Sequence, residues 1–427
     1  PPICGGDHAN YQRTLIEREE INDLACLENG IREFLKEVGC RVYEKVLEKE
    51  DQKYGKEVPC TCGHYSRRIS RRAGKLLTVF GWITYRRSYY GCPHCSEKAS
   101  PLDQSWDIQA GEVSPVMRKL LAIAGVEAAF GRSRRHLGEF LLVNVSDNTI
   151  RKYTQQMGEK QAALEAHWIE ESQNEPWLQN RESKVKDVPD RLYGSIDGVQ
   201  VPVGEDWREL KTLTWYEVAP VYGAEKERSQ DISYHCEIAP AEEFGKLLWA
   251  TGIQRFADKA KELIFVCDGA VWIWNLISHY FPDAVQIVDW YHACEYLTPI
   301  ATALFSDDAQ KKKWIQRIKA WLWQGKIKKV LQECRKHLHS PAATAAQSAI
   351  TYYSNNQHRM KYAEYRKKGY AIGSGTVESA CKQIATARLK IAGARWTLEG
   401  VVATAKARAA WLTDGEIFST LARPLPI

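Results

Sequence analysis

Asp197, Asp268 and Glu378 carry the strongest chemical signature in this chain. Asp197 closes an apolar run in residues 191–198 (RLYGSIDG), and Asp268 closes residues 263–268 (LIFVCD). Glu378 lies in residues 373–379 (GSGTVES), at the head of a basic segment. A carboxylate at the carboxyl end of a buried strand, followed by glycine, stands where open α/β sheets carry their sites. Three carboxylates converging there would repel one another unless divalent cations lay between them. Mg²⁺ and Mn²⁺ prefer oxygen donors and keep positions open for phosphate oxygens. Two such ions per site is the arrangement that in-line phosphoryl transfer uses. Taken singly, each residue reads as an ordinary Asp-Gly turn or an exposed helix position; the pattern draws its force from all three together.

A second constellation lies near the start. Cys60 and Cys62 form a CxC (PCTCG), and Cys92 and Cys95 form a CPHC. Two close cysteine pairs flanking a β-rich stretch are what a tetrahedral Cys₄ zinc ribbon requires. With all four positions filled by protein the metal is structural, and its removal is expected to unfold the small module. His64 and His94 stand nearby as substitute ligands.

Basic residues cluster around these cysteines and beyond. Residues 66–72 (SRRISRR) supply Arg67, Arg68, Arg71 and Arg72, followed by Arg86 and Arg87, and no acidic residue occurs from 58 to 96. Such density predicts contact with a nucleic-acid backbone. Residues 132–135 (RSRR) add Arg134 and Arg135. They precede a break and a segment, 146–157, in which Ser146 is a good N-cap and Ile150 opens an apolar face. Two short helices joined by a tight turn fit a helix-turn-helix whose second helix presents Asn148, Arg151 and Lys152 to double-stranded DNA. A purely structural hairpin has the same pattern. After Glu378 come Lys382, Arg388, Lys390 and Arg395, placed to hold phosphates if the segment is helical, and Trp396, which is expected in the core.

The elements that must position these groups follow from the rest of the 427-residue chain. A hydrophobic fraction of 44%, a charged fraction of 26% and a net charge of +6 are ordinary for a globular protein and permit nucleic-acid binding without requiring it. No apolar run is long enough to span a bilayer. The opening PPICGGDHAN lacks a basic segment followed by an apolar one, so no secretory signal is expected. The eight cysteines outside the cluster then read as reduced thiols in a cytoplasm.

Residues 1–58 are expected to form a helical region. Leu24, Leu27, Ile31, Phe34, Leu35, Val38, Val42 and Val46 recur at helical spacing within 11–50, a face for docking on another domain or for dimerisation. Residues 59–104 form the zinc module, with a strand or hairpin at 78–90. Residues 105–170 are helical, and 171–190 are polar and aperiodic, a linker. From 191, strands are predicted at 191–197, 210–222, 231–238, 263–268 and 284–289, with helices at 240–260 and 272–279: a mixed sheet flanked by helices. Residues 299–365 are helical and basic, and 366–427 carry Glu378.

Several of these motifs together are similar to one known group. CTCG with CPHC, FGWITYRRSYY, PLD at 101–103, SIDGVQVP followed by WRELK, VCDGAVWIWN, the DWYH box, and GSGTVES with ARW resemble bacterial insertion-sequence transposases of the DDE type, in the Mutator-like group and most closely its Kra-type branch. The resemblance implies a multidomain α/β protein with a ribonuclease-H-like catalytic domain, 191–298 and 366–427, interrupted by an all-helical insertion. It implies that Asp197, Asp268 and Glu378 are catalytic and hold Mg²⁺, and that Asp289 and His292 form the Asp-x-x-His box in a supporting role. The implied activity is cleavage of transposon-end DNA and joining of its 3′ ends to target DNA, by a nucleoid-associated protein that is dimeric or higher on DNA. Two other functions fit the same residues: a catalytically silent, transposase-derived DNA-binding protein, and a metal-dependent nuclease without strand transfer.

Overall fold

The computed structural model describes residues 23–108, 111–182, 188–220, 227–414 and Phe418. They form a mixed α/β protein with two sheets, and no helix among them is long and apolar enough to cross a membrane. The chain divides into two compact units, one reaching to Thr154 and the other spanning Gln155–Phe418.

The first unit begins with α1 (Leu24–Asp51), capped by Asp23, whose carboxylate accepts from the Cys26 N–H at 2.8 Å. Residues 11–22 of the expected amphipathic segment lie outside the described residues. The helix docks on a sheet, but not by the face that its apolar spacing marked. Leu47, Cys40 and Tyr43 pack with Leu76, Ile83, Tyr85 and Leu102. Buried Asp51 accepts from the Ser88 N–H at 2.6 Å and the Ser88 hydroxyl at 2.8 Å. A buried carboxylate paired to a strand fixes the helix, so the apolar stripe from Leu24 to Val46 is left exposed.

The sheet holds β1 (Glu57–Pro59), β2 (Tyr65–Thr78), β3 (Gly81–Gly91) and β4 (Lys98–Ala99), all antiparallel in that order. The predicted strand at 78–90 is β3. Its partner β2 contains SRRISRR, which composition alone does not mark as a strand because its outward positions are arginines. The turn closes through the Thr78 hydroxyl, donating to Gly81 O at 2.9 Å, with Gly81 at φ +123. A short helix, α2 (Pro101–Ser105), follows. Then α3 (Pro115–Glu127), α4 (Phe130–Leu141) and α5 (Asp147–Ser172) appear. Met117, Leu121, Leu137, Val143 and Ile150 share a core with Leu77. Ser146 caps α5 as expected, accepting from the Thr149 N–H at 3.1 Å. However, α5 is 26 residues long, not the short second helix of the predicted pair, and it runs from the first unit into the second.

In the second unit, the stretch expected as a linker at 171–190 holds the end of α5 and α6 (Glu175–Glu182); residues 183–187 lie outside the described residues. Asn174 caps α6 through the Trp177 N–H at 3.0 Å, and Arg181 pairs with Asp258 at 2.7 Å. A polar sequence became a docked helix because its one arginine found a carboxylate and the Phe256 ring, 4.9 Å away. The sheet is built from β5 (Arg191–Val203), β6 (Asp206–Pro220), β7 (Glu227–Glu237), β8 (Glu262–Cys267) and β9 (Val285–Val288), with α7 (Ala241–Gln254) before β8 and α8 (Val271–Tyr280) after it. Its order is β7-β6-β5-β8-β9: two antiparallel hairpins, then two strands parallel to β5. Leu192, Ile196, Trp215, Phe244, Phe265 and Ile277 fill the core between sheet and helices.

Helices follow without strands, as expected for 299–365: α9 (Trp290–Glu295), α10 (Leu297–Leu304), α11 (Asp308–Trp323), α12 (Ile327–Arg335), α13 (Ala343–Asn356) and α14 (Tyr362–Lys367). The described chain closes with α15 (Gly375–Cys381), a π-helical turn at Lys382–Thr386, and α16 (Leu398–Thr413).

Candidate functional site

The parallel register of β5 and β8 sets the first two carboxylates side by side. The last pair along this ladder is Gly194 with Phe265. Asp197 and Asp268 each stand three residues further on, so the period of two along a strand gives them the same face. Asp268 lies just beyond the end of β8, as expected. Asp197 does not end its strand: β5 continues to Val203 in a hairpin with β6. The aspartate instead sits where pairing with β8 has stopped, which opens one side of β5.

Local contacts fix both side chains. The Gly198 N–H donates to Asp197 Oδ1 at 2.7 Å and the Cys381 thiol to Oδ2 at 3.4 Å. A Cβ at Gly198 would meet the Glu209 carboxylate at 2.3 Å, so a larger residue after Asp197 would displace the Glu209 side chain. Asp268 Oδ1 accepts from the Ala270 N–H at 2.9 Å. Gly269 takes φ +107, and a Cβ there would strike the Tyr352 ring at 2.8 Å. Tyr352, from α13, donates its hydroxyl to the Asp268 carbonyl at 2.6 Å, so the helical region buttresses the second aspartate.

Glu378 stands in the first turn of α15, exposed, with the Ser374 hydroxyl 3.4 Å from its carboxylate. The start of α15 is held by Asp289, which is fully buried. Its Oδ2 accepts from the Ser374 N–H at 2.5 Å, its Oδ1 from the His292 N–H at 2.5 Å, and its own N–H donates to Cys267 O at 2.8 Å. One residue thus ties the end of β8, through its backbone N–H, to the cap of α9 and the helix of Glu378, through its carboxylate. The imidazole of His292 takes no part in this. Its Nδ1 lies 3.4 Å from Glu295, and its ring sits near Tyr296 and Tyr352.

Burial raises the pKa of the Asp197 carboxyl above its ordinary value; the Gly198 N–H opposes this, and the negative charges of Asp268 and Glu378 add to it. The charges of Asp268 and Glu378 are thus felt at Asp197; among the described residues, the group whose ligand atoms lie close enough together to hold a metal ion is the cysteine cluster of the first unit. Beside Asp268 opens a cleft of about 720 Å³, lined by Gly269, Trp274, Asn275, Tyr296, Asn355 and Arg359. Cys381, Ser374 and Tyr352 escaped the sequence reading. Cys381 was findable, one helical turn past Glu378; Tyr352 reaches the site from a distant helix and leaves no local signal.

The basic residues after Glu378 divide. Lys382 and Arg395 are exposed, and Lys390 lies 5.9 Å from the Trp207 ring. Arg388 is not a surface contact. It is 2% exposed with its guanidinium over Trp396 at 5.1 Å, and burial together with the Arg408 charge lowers it to about 10. Trp396 is buried as expected, donating to Leu389 O at 3.0 Å.

In the first unit the hairpin β2–β3 brings the cysteine pairs together at its open end. Cys60 and Cys62 precede β2, Cys92 and Cys95 follow β3, and the strands pair back to Arg67 with Gly91. Tight turns shape both halves: the Gly63 N–H donates to Cys60 O at 3.0 Å, and the Ser96 N–H to Cys92 O at 3.1 Å. All four sulfurs lie within 4.8 Å of one another, with Cys60–Cys62 and Cys60–Cys95 at 3.5 Å and Cys62–Cys92 at 3.6 Å. Four thiolates around one zinc stand about 3.8 Å apart at the usual bond length, so this cluster can hold a metal such as zinc. The backbone N–H groups of Cys95 and His94 lower Cys92 to about 6 against its desolvation, while hydrogen bonds among the sulfurs help to raise Cys62 and Cys95, so one thiolate is favoured at the expense of its neighbours. The tight CxC half closes without help from His64 or His94, whose rings stack on each other at 3.8 Å.

The arginines nearby are less free than the acid-free stretch 58–96 implied, because carboxylates from outside it reach in. Arg67 pairs with Glu57 at 3.0 Å, and Arg71 lies 3.4 Å from Asp51. Arg72 stacks on Tyr89 at 3.8 Å. Arg87 is largely buried against Asp103, so it is a structural ion pair and not a surface contact. Arg67, Arg68, Arg71, Arg72 and Arg86 remain exposed. On the helices, Arg135, Asn148 and Arg151 are exposed, while Arg134 pairs with Asp147 at 3.3 Å and Lys152 with Glu112 at 2.7 Å.

Residues 18–185 are similar to an uncharacterised protein family, UPF0236. No curated protein matches the chain. The matched stretch contains the four cysteines and ends before Asp197, so it does not reach the carboxylates.

Proposed function

We propose that this chain is a DDE-type transposase: a metal-dependent enzyme that binds DNA ends, cleaves them and joins the 3′ ends to target DNA. What supports this reading is that Asp268 and Glu378 both act electrostatically on Asp197, close to where pairing between β5 and β8 stops, and that the helix of Glu378 is held at its start by Asp289 through the Ser374 N–H. The sheet order, with three antiparallel strands followed by two parallel ones, is the order a ribonuclease-H-like domain requires. The helices between β9 and α15 occupy the place of the insertion. Mg²⁺ or Mn²⁺ held by the three carboxylates would neutralise phosphate charge and activate water or a DNA 3′-hydroxyl. The protein's own contribution is positioning: strand register for the aspartates, a buried carboxylate for the helix of the glutamate, and exposed Lys382 and Arg395 for the backbone of DNA.

The test is incubation of the full chain with candidate transposon-end duplexes and Mg²⁺ or Mn²⁺, resolving nicked and joined products. Asp197→Ala, Asp268→Ala and Glu378→Ala should each lose activity by at least about a thousandfold, roughly 4 kcal/mol of transition-state stabilisation, while still binding DNA. Near-normal turnover in any one variant removes that residue from the site. Cleavage without joined products would reduce the assignment to a nuclease.

A further inference from the structure

The cleft of about 720 Å³ beside Asp268 is walled from three places: residues 269–275 after β8, Tyr296 between α9 and α10, and α13 with the 3₁₀ turn Gln357–Arg359 that follows it. The rings of Tyr296 and Tyr352 stack there at 4.0 Å and 17° from parallel, both partly exposed. Trp274 is 3% exposed, and its indole N–H finds no acceptor among the described residues. A buried donor without a partner is costly, and such groups mark places where a bound molecule completes the hydrogen bonding. Asn275, Gln347 and Asn355 bring exposed carboxamides. Among the described residues of the lining, Arg359 is the one charged side chain, and no Asp or Glu is present. Its Nε donates to Gln286 at 2.7 Å, and its guanidinium lies over the Trp274 ring at 4.6 Å. Burial lowers its pKa from the ordinary arginine value, and what opposes this is the Tyr365 hydroxyl, not a carboxylate.

We propose that this cleft binds a single unpaired nucleotide, its base against the aromatic rings and carboxamides and its phosphate at Arg359. Each part of the lining has a counterpart in that ligand. Aromatic rings receive a base by stacking. A carboxamide donates and accepts at once, which matches the mixed donors and acceptors along the edge of a base. An arginine without a carboxylate partner, in a lining free of acidic side chains, receives a phosphate in its planar fork. Other ligands use the lining less well. An apolar molecule would strand the carboxamides, a bare anion would leave the rings in water, and a cation would meet Arg359. The volume falls within the roughly 300–1,000 Å³ of small-ligand sites. A base inside a duplex has its faces stacked and its edge paired, so the nucleotide must be unpaired, either free in solution or extruded within a strand. This inference stands apart from the metal chemistry proposed above.

The full chain, without divalent metal, is titrated calorimetrically with dAMP and with 2-deoxyribose 5-phosphate, and by fluorescence with a short single strand carrying one 2-aminopurine. The base should strengthen binding at least about tenfold over the sugar phosphate, and the 2-aminopurine emission should be quenched as it stacks. Asn275→Ala with Asn355→Ala, both at exposed positions, should weaken this binding by about tenfold with unchanged far-ultraviolet circular dichroism. Arg359→Lys should weaken dAMP as well, since lysine lacks the fork. Binding of dAMP that the asparagine pair weakens supports the inference with a free nucleotide as the ligand. A quench that the pair weakens, without binding of dAMP, supports it with a nucleotide held in a strand. Equal affinity for dAMP and the sugar phosphate, without a quench, overturns it, because an anion alone would be recognised. Binding or quenching that the asparagine pair leaves unchanged also overturns it, as does the absence of both.

Discussion

The carboxyl of Asp197 is where the competing demands on single residues are sharpest. It lies half-buried, receives one backbone N–H and one thiol, and shares its surroundings with two further acids. Its pKa is raised, first by burial and then by the charges of Asp268 and Glu378. Neither folded nor unfolded chains carry this charge below the ordinary aspartate range. As pH rises through the raised value, the folded protein must ionise a carboxyl that the unfolded chain ionises more easily, so stability is lost over that interval and stays lost at neutral pH. In metal-free protein, Asp197→Asn should therefore raise the melting temperature at neutral pH and flatten the pH profile above the ordinary aspartate range. Mg²⁺ at a hundredfold excess over its Kd should stabilise the wild type by about 2.7 kcal/mol and the variant by much less. Thermal scans across pH, with and without Mg²⁺, check both; an Asn variant less stable than the metal-free wild type, or one equally responsive to Mg²⁺, would rule out this account. Asp289 shows the contrasting case, a buried carboxylate whose oxygens both accept backbone N–H groups and which holds other groups in place.

Among the elements, legibility followed the strength of local pattern. The strands of the five-stranded sheet were readable because each is an apolar run ending at a polar punctuation, as in LIFVCD, and the helices after β9 because they lack any competing signal. β2 was missed because its arginines point outward on a strand whose pairing with β3 is decided by the turn at Thr78–Gly81. The linker was misread because the helix at Glu175–Glu182 owes its docking to Asp258, far away in sequence. α1 meets its sheet through Cys40, Tyr43 and Leu47, with Asp51 bonded to Ser88, a contact that its apolar spacing does not mark. The zinc hairpin is where the structure sharpens the sequence expectation. Its cysteine end has the four thiols and little core, whereas its turn end carries Leu76, Leu77 and Ile83 in hydrophobic clusters. If the cluster holds zinc, ligation would therefore supplement the packing of Tyr90 and the short β1 and β4 pairings at the cysteine end. Chelation, or Cys92→Ser with Cys95→Ser, should lower zinc from about one per chain to none. It should also speed amide exchange at 57–68 and 90–99, while 74–85 stay protected. Uniform loss of protection along the hairpin would mean that the metal organises the whole module; no change anywhere would mean that it organises none of it.

At the scale of the whole chain a net charge of +6 is too small to drive DNA binding by itself, and the useful quantity is how many cations stay exposed on the surface. The sequence suggested fifteen basic or amide contacts. The structure removes Arg87 and Arg388 by burial and occupies Arg134 and Lys152 with carboxylates. Arg68, Arg86, Arg135, Arg151 and Lys382 stay exposed. Each phosphate contact releases condensed counterions and adds about 0.9 to the slope of log K against log salt concentration. On a duplex oligonucleotide, Arg68→Ala with Arg86→Ala should therefore reduce that slope by about 2 and weaken binding most at low salt, alike for every sequence tested. Lys152→Ala should leave the slope unchanged, because its ammonium already faces Glu112 at 2.7 Å and releases no counterion on binding. Fluorescence anisotropy across a salt series distinguishes the two. If Lys152→Ala lowers the slope as much as the arginine pair, the ion pair opens on DNA and the helix α5 is a reading surface after all; if the arginine pair has no effect, the basic face of the zinc hairpin is not where DNA lies.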